Sequence, residues 1–341
     1  MKAHILTKFG PPEVLQLQEV PRPEPGEKEV LVKVRRIGLN FAEVFMRLGV
    51  YPGVMKPPFV PGIESSGIIE RVGKGVRGLK KGDRVIAFTK QGAYAEYVCT
   101  PVDFVAKIPR HMNLDEAAAI TVTYLSALHG LKTLAHLSGG ERVLIHAAAG
   151  GVGTASLQIA RHVGAESFGT VGSDEKRDLA IQHGANHVIN YRTEKFADVI
   201  MEKTDGYGID VVMDSVGGSV FRKSWKLLAP MGRYVLFGFA AVTGPRTVPK
   251  LKAVSEYLQV PRIMPPSVVS RNVSLMGFNL YFLTHKVDYL RGLMAEIMSL
   301  FRRGIVAPVL GARYPFENIP EAHAFLQSRK SVGKVLIDVG D

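Results

Sequence analysis

Cysteine is nearly absent from this chain of 341 residues, which contains only Cys99. One cysteine cannot form an intramolecular disulfide, and it cannot build a cysteine-rich zinc or iron–sulfur site. A reducing, cytoplasmic compartment is therefore expected. Long hydrophobic runs are also missing, because Gly, Lys or Arg interrupts each apolar stretch well before the roughly 20 residues that a membrane span needs. The segment 1–6 shows none of the apolar character of a signal peptide.

Basic residues outnumber acidic ones, 43 to 31, which gives a formal net charge of +12. They are scattered in short pairs such as Lys80-Lys81, without the basic arm or the aromatic and basic pattern that is typical of nucleic-acid binding. A solvated basic surface is the simplest interpretation, and binding of a nucleotide phosphate is the next. No nucleic-acid partner is expected.

The first 120 residues are rich in Pro and Gly and contain short β-branched runs, for example at 30–34 and 67–72. This pattern indicates a mostly-β domain. From about Leu114 the apolar period becomes helical, with Asp115 and Glu116 at the start, where the helix dipole favours acids. A domain boundary is expected near this helix.

Strand and helix patterns then alternate. Strands are predicted at 142–146, 167–171, 187–189, 209–214 and 233–237, and helices at 154–163, 175–184, 196–203 and 220–228. Such repeats predict an α/β domain with a parallel sheet and helices on both faces. Residues 240–266 are predicted to be an irregular, proline-bearing insertion loop. A strand at 274–278, an amphipathic helix at 287–303 and a closing strand at 332–337 complete the pattern.

A glycine-rich loop, Ala147-Ala148-Ala149-Gly150-Gly151-Val152-Gly153, follows the strand at 142–146. It is a variant of the dinucleotide fingerprint with Ala147 in place of the first glycine. Small residues let the backbone approach a pyrophosphate, and a helix N-terminus from about Thr154 offers unpaired N–H groups. A tight turn is the simpler alternative, but the strand, loop and helix are all in register for dinucleotide binding. Cofactor contacts are predicted from Ala149, Gly150, Gly151, Val152 and Gly153.

The tip of the next strand bears on the choice between NAD and NADP. An NAD site carries an acid about 20 residues further on, where it binds the ribose hydroxyls. Here the tip is neutral at Gly172 and Ser173, and Ser173 can donate to a 2′-phosphate that Lys176 or Arg177 can pair with. NADPH is therefore the predicted cofactor. Asp174 would repel that phosphate if it faced inward, and an exposed helix lysine is the other interpretation of Lys176.

Further motifs give the chain a family resemblance, at 38–43, 61–67, 81–85, 92–97 and 332–336. With the glycine loop, they make nearly the whole chain similar to the medium-chain dehydrogenase/reductase superfamily, and specifically to its zinc-independent quinone oxidoreductases. The C-terminal half most resembles the branch of the vesicle amine transport protein homologues. The resemblance implies a GroES-like, mostly-β catalytic domain at 1–122 and 286–341. It also implies a Rossmann cofactor domain with a doubly wound parallel sheet at 123–285.

Two positions depart from the zinc-dependent members of that superfamily. Those members carry a ligand cysteine where Asn40 stands and a histidine where Ile63 stands. The structural zinc lobe with its four cysteines is absent too, so no metal is expected. Without a Lewis acid to stabilise an alkoxide, alcohol oxidation is not expected. A quinone or enone instead spreads the charge of an arriving hydride into a stabilised phenolate or enolate.

The resemblance implies further cofactor contacts. Asn40 and Phe41 match one edge of the cleft, where the Asn40 amide could bond the nicotinamide ribose or the substrate carbonyl. Lys176 and Tyr191 match the pair that lines the 2′-phosphate pocket of NADPH-dependent relatives, and Arg329 can reach the same phosphate. The segments that flank adenosine and nicotinamide are matched by Ser126, Val216, Phe237, Gly238, Phe239, Ala240 and Phe278. Ordinary packing is the other interpretation of Ser126, Val216 and Phe278.

The catalytic candidates are Asn40 and Tyr51. Tyr51 resembles a tyrosine that the family places at the substrate pocket, where its hydroxyl could bond the acceptor oxygen. A tyrosine that caps the β-domain is the alternative. Glu64 is expected to be a structural carboxylate bonded to backbone groups or arginines. His129 and His136 lie on one predicted helix, a turn too far apart to chelate a metal.

Together these features predict an NADPH-dependent reductase of quinones or α,β-unsaturated carbonyls, with the proton coming from water or Tyr51. An enoyl-thioester reductase is the alternative within the same class, and a basic pocket mouth at 243–266 would support it. A nucleotide-binding trafficking or lipid-contact protein is the alternative from another class. The resemblance also implies a homodimer, through a sheet edge near 235–239 or 274–278.

Overall fold

Two main β-sheets organise the protein, which a computed structural model describes over residues 1–340. The strands are β1 Lys2–Leu6, β2 Leu15–Glu19, β3 Glu29–Leu39, β4 Glu64–Val72, β5 Arg84–Phe88, β6 Tyr97–Pro101, β7 Val105–Lys107, β8 Arg142–Ile145, β9 Glu166–Val171, β10 His187–Asn190, β11 Ile209–Asp214, β12 Leu228–Leu236, β13 Ser274–Gly277, β14 Leu310–Pro315 and β15 Lys334–Asp338. The helices are α1 Phe41–Leu48, α2 Leu114–Leu128, α3 Gly151–Val163, α4 Glu175–Gln182, α5 Phe196–Lys203, α6 Gly218–Lys226, α7 Lys250–Leu258, α8 Pro265–Arg271, α9 Val287–Arg302 and α10 Ile319–Gln327.

The first sheet collects strands from both ends of the chain. Its order is β14-β15-β3-β4-β5-β7, and β6 also pairs with β3. Strands β14 and β15 run parallel, whereas the other pairs of this sheet are antiparallel. Strands β1 and β2 form a separate antiparallel pair. The domain boundaries at 122 and 286 stay predictions.

The second sheet is parallel throughout, in the order β10-β9-β8-β11-β12-β13. Counted from β8, this is the strand order 3-2-1-4-5-6 of a doubly wound nucleotide-binding domain. The predicted α/β fold with a doubly wound, Rossmann-type parallel sheet is thus confirmed. The order reverses between β8 and β11, and the crevice outside the carboxyl ends of such strands is where this fold binds ligands.

Helix α2 lies between the two sheets. It begins with a capping box, in which Asn113 and Glu116 each accept from the other's backbone N–H. One face packs Ala118 and Ala119 against Leu336 of β15, and the rest of the helix belongs to the core of the parallel sheet. Helix α2 ends at Leu128 and continues as a π-helical turn over His129–Leu134. His136 lies beyond that turn with a φ of 47°, so the two histidines do not share one regular helix.

The segment 240–266 was expected to be irregular, and that expectation is wrong. It contains a short 3₁₀ turn at Ala240–Val242, helix α7 and the start of helix α8. The prolines suggested a loop, but Pro249 is the N-cap of α7 and Pro265 is in the first turn of α8. Proline is well tolerated there, because the first helical N–H groups have no intrahelical acceptor to lose. Within residues 1–340, the helices are too short or too polar to span a membrane.

The segment 235–239 is not a sheet edge. Strand β12 lies between β11 and β13, so its backbone is paired on both sides. Strand β13 pairs with β12 on one side and forms the edge of the parallel sheet. Of the two predicted dimer edges, only the one at 274–278 includes an edge strand.

A glycine at position 38 is required where β3, β4, β15 and α2 meet. A Cβ atom there would lie 2.0 Å from the Ala118 carbonyl oxygen, 2.7 Å from Lys334 Cε and 2.9 Å from Glu64 Oε1. Because the nearest atom belongs to the backbone of α2, it cannot move aside by a rotamer change. The contact therefore excludes every side chain at this position.

We expect Gly38→Ala to destabilise the protein by about 1–3 kcal/mol, the usual effect of overpacking a core. The matched variant is Gly292→Ala, since Gly292 lies in α9 and a Cβ atom there would have nothing within 4 Å. That change should stabilise the protein by up to about 1 kcal/mol, because alanine has the higher helix propensity. Denaturant titration of both variants measures the difference. Equal unfolding midpoints for the two variants would contradict the packing at Gly38.

Candidate functional site

A cleft of about 400 Å³ opens at the reversal point of the parallel sheet and extends to α1 and β15. Most residues predicted to bind cofactor or substrate line it. They are Asn40, Phe41, Tyr51, Ser126, Ala149, Gly150, Gly151, Val152, Gly153, Gly172, Lys176, Tyr191, Val216, Phe237, Gly238, Ala240, Phe278 and Arg329. Ser173 and Phe239 do not line the cleft.

The glycine-rich loop forms one wall of the cleft. Ala147 has a φ of 52°, the left-handed conformation that glycine adopts most easily. At Gly153 a Cβ atom would lie 2.3 Å from the Ala147 carbonyl oxygen, so only glycine lets helix α3 pack this closely on the loop. Helix α3 begins at Gly151, three residues before the predicted start near Thr154. The first unpaired N–H groups of α3 therefore lie within the loop, where they can bind a pyrophosphate.

The pocket predicted for a 2′-phosphate lies at the tip of β9. The Tyr191 hydroxyl oxygen would lie 2.6 Å from a Cβ at Gly172, so the tyrosine packs directly over that glycine. Lys176 reaches across the cleft, and its Nζ donates to the carbonyl oxygens of Arg329 at 2.8 Å and Ser331 at 2.7 Å. Burial lowers the pKa of Lys176, and the nearby Arg192 lowers it further. Three of the residues that were assigned to the phosphate, Lys176, Tyr191 and Arg329, thus line the cleft, and Arg192 is a further cation close to Lys176.

Two of the predicted phosphate contacts point elsewhere. The Ser173 hydroxyl bonds to Glu175 and lowers the pKa of that carboxyl. Arg177 donates to Glu194 at 2.6 Å and to the Val188 carbonyl oxygen at 2.7 Å. Neither Ser173 nor Arg177 lines the cleft and each side chain has a local partner, so their contacts with a phosphate stay predictions. Asp174 does not face the cleft either, since it is exposed and accepts from Asn190 at 3.1 Å.

Aromatic residues form the opposite end of the cleft. The rings of Phe237 and Phe278 are stacked at 5.3 Å with 12° between their planes. The loop beside them is held by Asp214, which accepts from the Val216 N–H at 2.6 Å. Phe239 lies outside the cleft because its ring packs on Gly217, where a Cβ would lie 2.0 Å from Phe239 Cδ2.

A buried lysine that sequence analysis missed lies beside Asn40. Lys334 Nζ donates to Asn40 Oδ1 at 2.5 Å and to Glu64 Oε1, and its exposed fraction is 4%. The predicted partners of Glu64 were backbone groups or arginines. It does accept from the Val122 N–H at 3.0 Å, but its charged partner is this lysine rather than an arginine.

The Asn40 amide hydrogens are engaged within the protein. Asn40 Nδ2 donates to the Gly38 carbonyl oxygen at 3.1 Å and to Glu64 Oε1 at 2.9 Å. Both amide hydrogens thus have acceptors within the protein, and a bond from Asn40 to a substrate carbonyl stays a prediction. Asn40 Oδ1 accepts from Lys334 Nζ, and the bond from Asn40 to the nicotinamide ribose also stays a prediction.

The Tyr51 hydroxyl is also engaged. It donates to Asn279 Oδ1 at 2.7 Å, and burial raises the pKa of Tyr51 to about 12. The ring of Tyr281 lies edge-on at 5.7 Å. Tyr51 therefore lines the cleft as a neutral side chain whose oxygen can accept a hydrogen bond, and its proton-donor role stays a prediction.

A second acid, Glu43, lies beneath Asn40 and is fully buried. Its carboxylate accepts from the Asn40 N–H at 2.7 Å and from the Ile63 N–H at 2.8 Å. Burial raises the pKa of Glu43 from 4.5 to about 7, although these two hydrogen bonds and Lys334 act in the opposite direction. The desolvation of the carboxylate dominates.

The donor atoms near Asn40 do not fit a metal ion. Ile63 offers no ligand atom, and the Lys334 ammonium occupies the Asn40 oxygen and repels cations. Across residues 1–340, no three His, Cys, Asp or Glu side chains cluster in a way that could hold a metal.

Comparison with known proteins agrees with this architecture. An alcohol dehydrogenase GroES-like domain model matches residues 26–110, and a zinc-binding dehydrogenase model matches residues 183–337. The human synaptic vesicle membrane protein VAT-1 homolog is 35% identical over 344 residues, which cover 100% of this chain and 87% of that protein.

Solved structures give the same result. The structure of Escherichia coli quinone oxidoreductase complexed with NADPH has a TM-score of 0.89 and 31% identity, and the match covers 99% of this chain and 100% of that one. The CurK enoyl reductase has a TM-score of 0.85 and 30% identity, with 99% of each chain covered. The chain therefore belongs to the medium-chain dehydrogenase/reductase family, in the group that includes quinone oxidoreductases and VAT-1 homologues.

The raised pKa of Glu43 makes stability depend on pH. Between pH 4.5 and about 7 the folded protein retains a proton that the unfolded chain releases. Stability from this group is therefore present below about pH 4.5 and is lost as the pH rises to about 7. At 1.36 kcal/mol per pKa unit the loss is about 3 kcal/mol. We expect Glu43→Gln to remove this dependence, as measured by unfolding free energies of both proteins from pH 5 to pH 8.

The matched control is Glu116→Gln, because Glu43 and Glu116 are the glutamates of the capping boxes of α1 and α2. It should leave in place the pH dependence that comes from Glu43. Curves for the wild type and Glu43→Gln that stay parallel across this pH range would contradict the assignment.

Proposed function

We propose that the protein is an NADPH-dependent, zinc-independent reductase of quinones or other α,β-unsaturated carbonyl compounds. The observation that carries the proposal is the cleft itself, which joins the glycine-rich loop, the pocket at Lys176 and a buried polar cluster at Asn40. Bound NADPH would supply a hydride, and the chain's own residues would bind, orient and shield the reactants. The single cysteine supports a reducing, cytoplasmic location.

The tip of β9 supports NADPH over NADH. Asp174 faces Asn190 and Arg177 instead of the cleft, so no carboxylate occupies the position that binds the ribose hydroxyls in NAD sites. Lys176, Tyr191 and Arg329 line the cleft at the same end. Lys176 would exchange its carbonyl partners for the 2′-phosphate, since a charged phosphate oxygen is the stronger acceptor.

The cluster at Asn40 supports chemistry without zinc. The Lys334 ammonium and the apolar Ile63 leave no set of ligands for a metal at this end of the cleft. Reduction of a conjugated carbonyl needs less stabilisation by a metal ion than oxidation of an alcohol does, because the conjugated system delocalises the charge of the incoming hydride. The stacked rings of Phe237 and Phe278 give the neighbouring part of the cleft an apolar lining.

A partner-binding function is the second candidate, because α7 presents an apolar surface. Leu251 and Leu258 are 88% and 76% exposed, and with Val254 they lie on one face of the helix. Isolated exposed apolar residues are common, but three on one face favour a contact with another molecule. An enoyl-thioester substrate has less support, since Lys252 and Arg246 of the same segment already bond to Thr243 and Glu13.

We also propose a homodimer through β13. This strand leaves one row of backbone groups unpaired at the edge of the parallel sheet, and Leu275 is 45% exposed there. Pairing with the same strand of a second copy would satisfy those groups and bury Leu275.

The function is tested by titrating metal-stripped protein with NADPH and NADH, and then following NADPH oxidation with a panel of quinones, enones and an enoyl thioester. We expect tighter binding of NADPH and turnover with a quinone or an enone. Lys176→Ala should weaken NADPH binding about 10-fold or more, because it removes a charged partner of the phosphate, and should change NADH binding little. Lys195→Ala, which removes an exposed lysine nearby, should change neither.

Other outcomes would contradict the role of Lys176 or favour a different function. Equal loss of NADPH and NADH binding in Lys176→Ala would contradict the phosphate role of this lysine. Tight NADPH binding without turnover of any acceptor, combined with flotation on anionic liposomes, would favour the partner-binding candidate. Turnover restricted to the enoyl thioester would identify an enoyl reductase.

Leu275→Lys should convert the dimer to a monomer, because a charged side chain on an edge strand opposes pairing. Size-exclusion chromatography with light scattering measures the mass. Leu310→Lys is the matched control, since Leu310 lies on β14 at the edge of the first sheet and is 40% exposed. A wild-type monomer, or a dimer that survives Leu275→Lys, would refute the proposed interface.

A further inference from the structure

Lys334 brings a buried positive charge to the cleft at the end lined by Asn40 and Tyr51. Its position is tightly defined. Glu64 and Asn40 hold the ammonium, and the lysine stem packs against Gly38, where a Cβ would lie 2.7 Å from Lys334 Cε. Glu64 is itself fixed by the Val122 N–H at 3.0 Å. The cluster therefore has little freedom to rearrange.

The ammonium has one N–H more than its partners use. A lysine side chain carries three N–H donors, and within residues 1–340 Lys334 Nζ has two acceptors, Asn40 Oδ1 and Glu64 Oε1. Because Lys334 lines the cleft, the third N–H is available to a molecule bound there. Neighbouring donors are already engaged, since both Asn40 amide hydrogens and the Tyr51 hydroxyl hydrogen have acceptors within the protein.

We propose that Lys334 is a catalytic residue that donates this third hydrogen bond to the acceptor's oxygen as that oxygen gains negative charge. The inference rests on the proposed reductase function. In an enone, the β-carbon gains the hydride with its electron pair, the C=C π electrons move, and the carbonyl oxygen becomes an enolate oxygen. Bound NADPH would supply that hydride and would thereby become NADP⁺, and the enolate would then take a proton from water. In a quinone the same electron count leaves a phenolate oxygen.

Glu64 makes such a charge compatible with burial. A lone buried ammonium is strongly unfavourable, but the Lys334–Glu64 pair is neutral overall. The pair keeps the cation in place before the substrate binds, so the hydrogen bond requires no reorganisation when the oxygen becomes negative. Because Lys334 is buried, the attraction between the ammonium and this oxygen is stronger than it would be in solution.

The test compares the wild type with Lys334→Met and with the double variant Lys334→Met/Glu64→Gln. The double variant removes both buried charges, so it can fold even if Lys334→Met alone does not. We expect kcat with the best acceptor to fall by about 10²–10³-fold in the double variant, as when one oxyanion donor is removed. The KM for NADPH should stay within a few-fold of the wild type. Lys330→Met, an exposed lysine four residues earlier, is the charge-matched control.

A second measurement does not depend on turnover. The absorbance of 4-nitrophenol, titrated with pH in the presence of each protein and NADP⁺, reports the apparent pKa of the bound phenol. Wild type and Lys330→Met should lower that pKa by at least about one relative to the double variant, because an adjacent cation favours the phenolate.

The outcomes distinguish failure of the reductase function from failure of the role of Lys334. If the wild type reduces none of the acceptors but still lowers the phenol pKa through Lys334, the reductase function fails and the oxyanion site stands. If the wild type is active and the double variant keeps its kcat, the role of Lys334 is overturned. An identical phenol pKa in the wild type and the double variant also overturns it.

Discussion

The hydrogen bond from the Gly333 N–H to the Ala149 carbonyl oxygen, at 2.8 Å, joins the two halves of the cleft. Ala149 belongs to the glycine-rich loop of the parallel sheet, and Gly333 immediately precedes β15 of the first sheet. Gly333 has a φ of 54°, and a Cβ there would lie 2.3 Å from the Val309 carbonyl oxygen. Only glycine at position 333 lets the chain pass this close to the Val309 carbonyl oxygen. Because Lys334 is the next residue, the same contact sets the distance between the ammonium and the loop.

Two buried acids near Asn40 meet different electrostatic conditions. Glu64 has a cationic partner in direct contact, whereas Glu43 accepts from two backbone N–H groups and feels Lys334 only at longer range. Desolvation therefore dominates at Glu43 and raises its pKa to about 7. Lys334 is thus in direct contact with one carboxyl group and acts on the other only at longer range. The electrostatics at this end of the cleft depend on how two acids share one lysine.

Much of the fold could be predicted from sequence, because periodicity reports local structure. The helix at 196–203 and the strand at 209–214 have the bounds that their patterns predicted. The segment 240–266 was predicted wrongly, since proline at the start of a helix and proline in a loop look the same in a sequence. Lys334 was missed for a different reason. A lysine in a strand is usually exposed, and its partners Asn40 and Glu64 are 294 and 270 residues away in the chain, so no local pattern indicates the contact.

The interdependence of Gly38, Asn40, Glu64 and Lys334 restricts how this chain can evolve. Replacing Asn40 with the cysteine of zinc-dependent relatives would remove an acceptor from Lys334 while its charge remained buried. Removing Lys334 first would leave Glu64 as an uncompensated anion, and such broken pairs are strongly destabilising. Each single step toward a metal site therefore passes through a less stable protein. The effects of substitutions in this cluster are therefore expected to be non-additive, so that a metal site is not reached by independent single mutations.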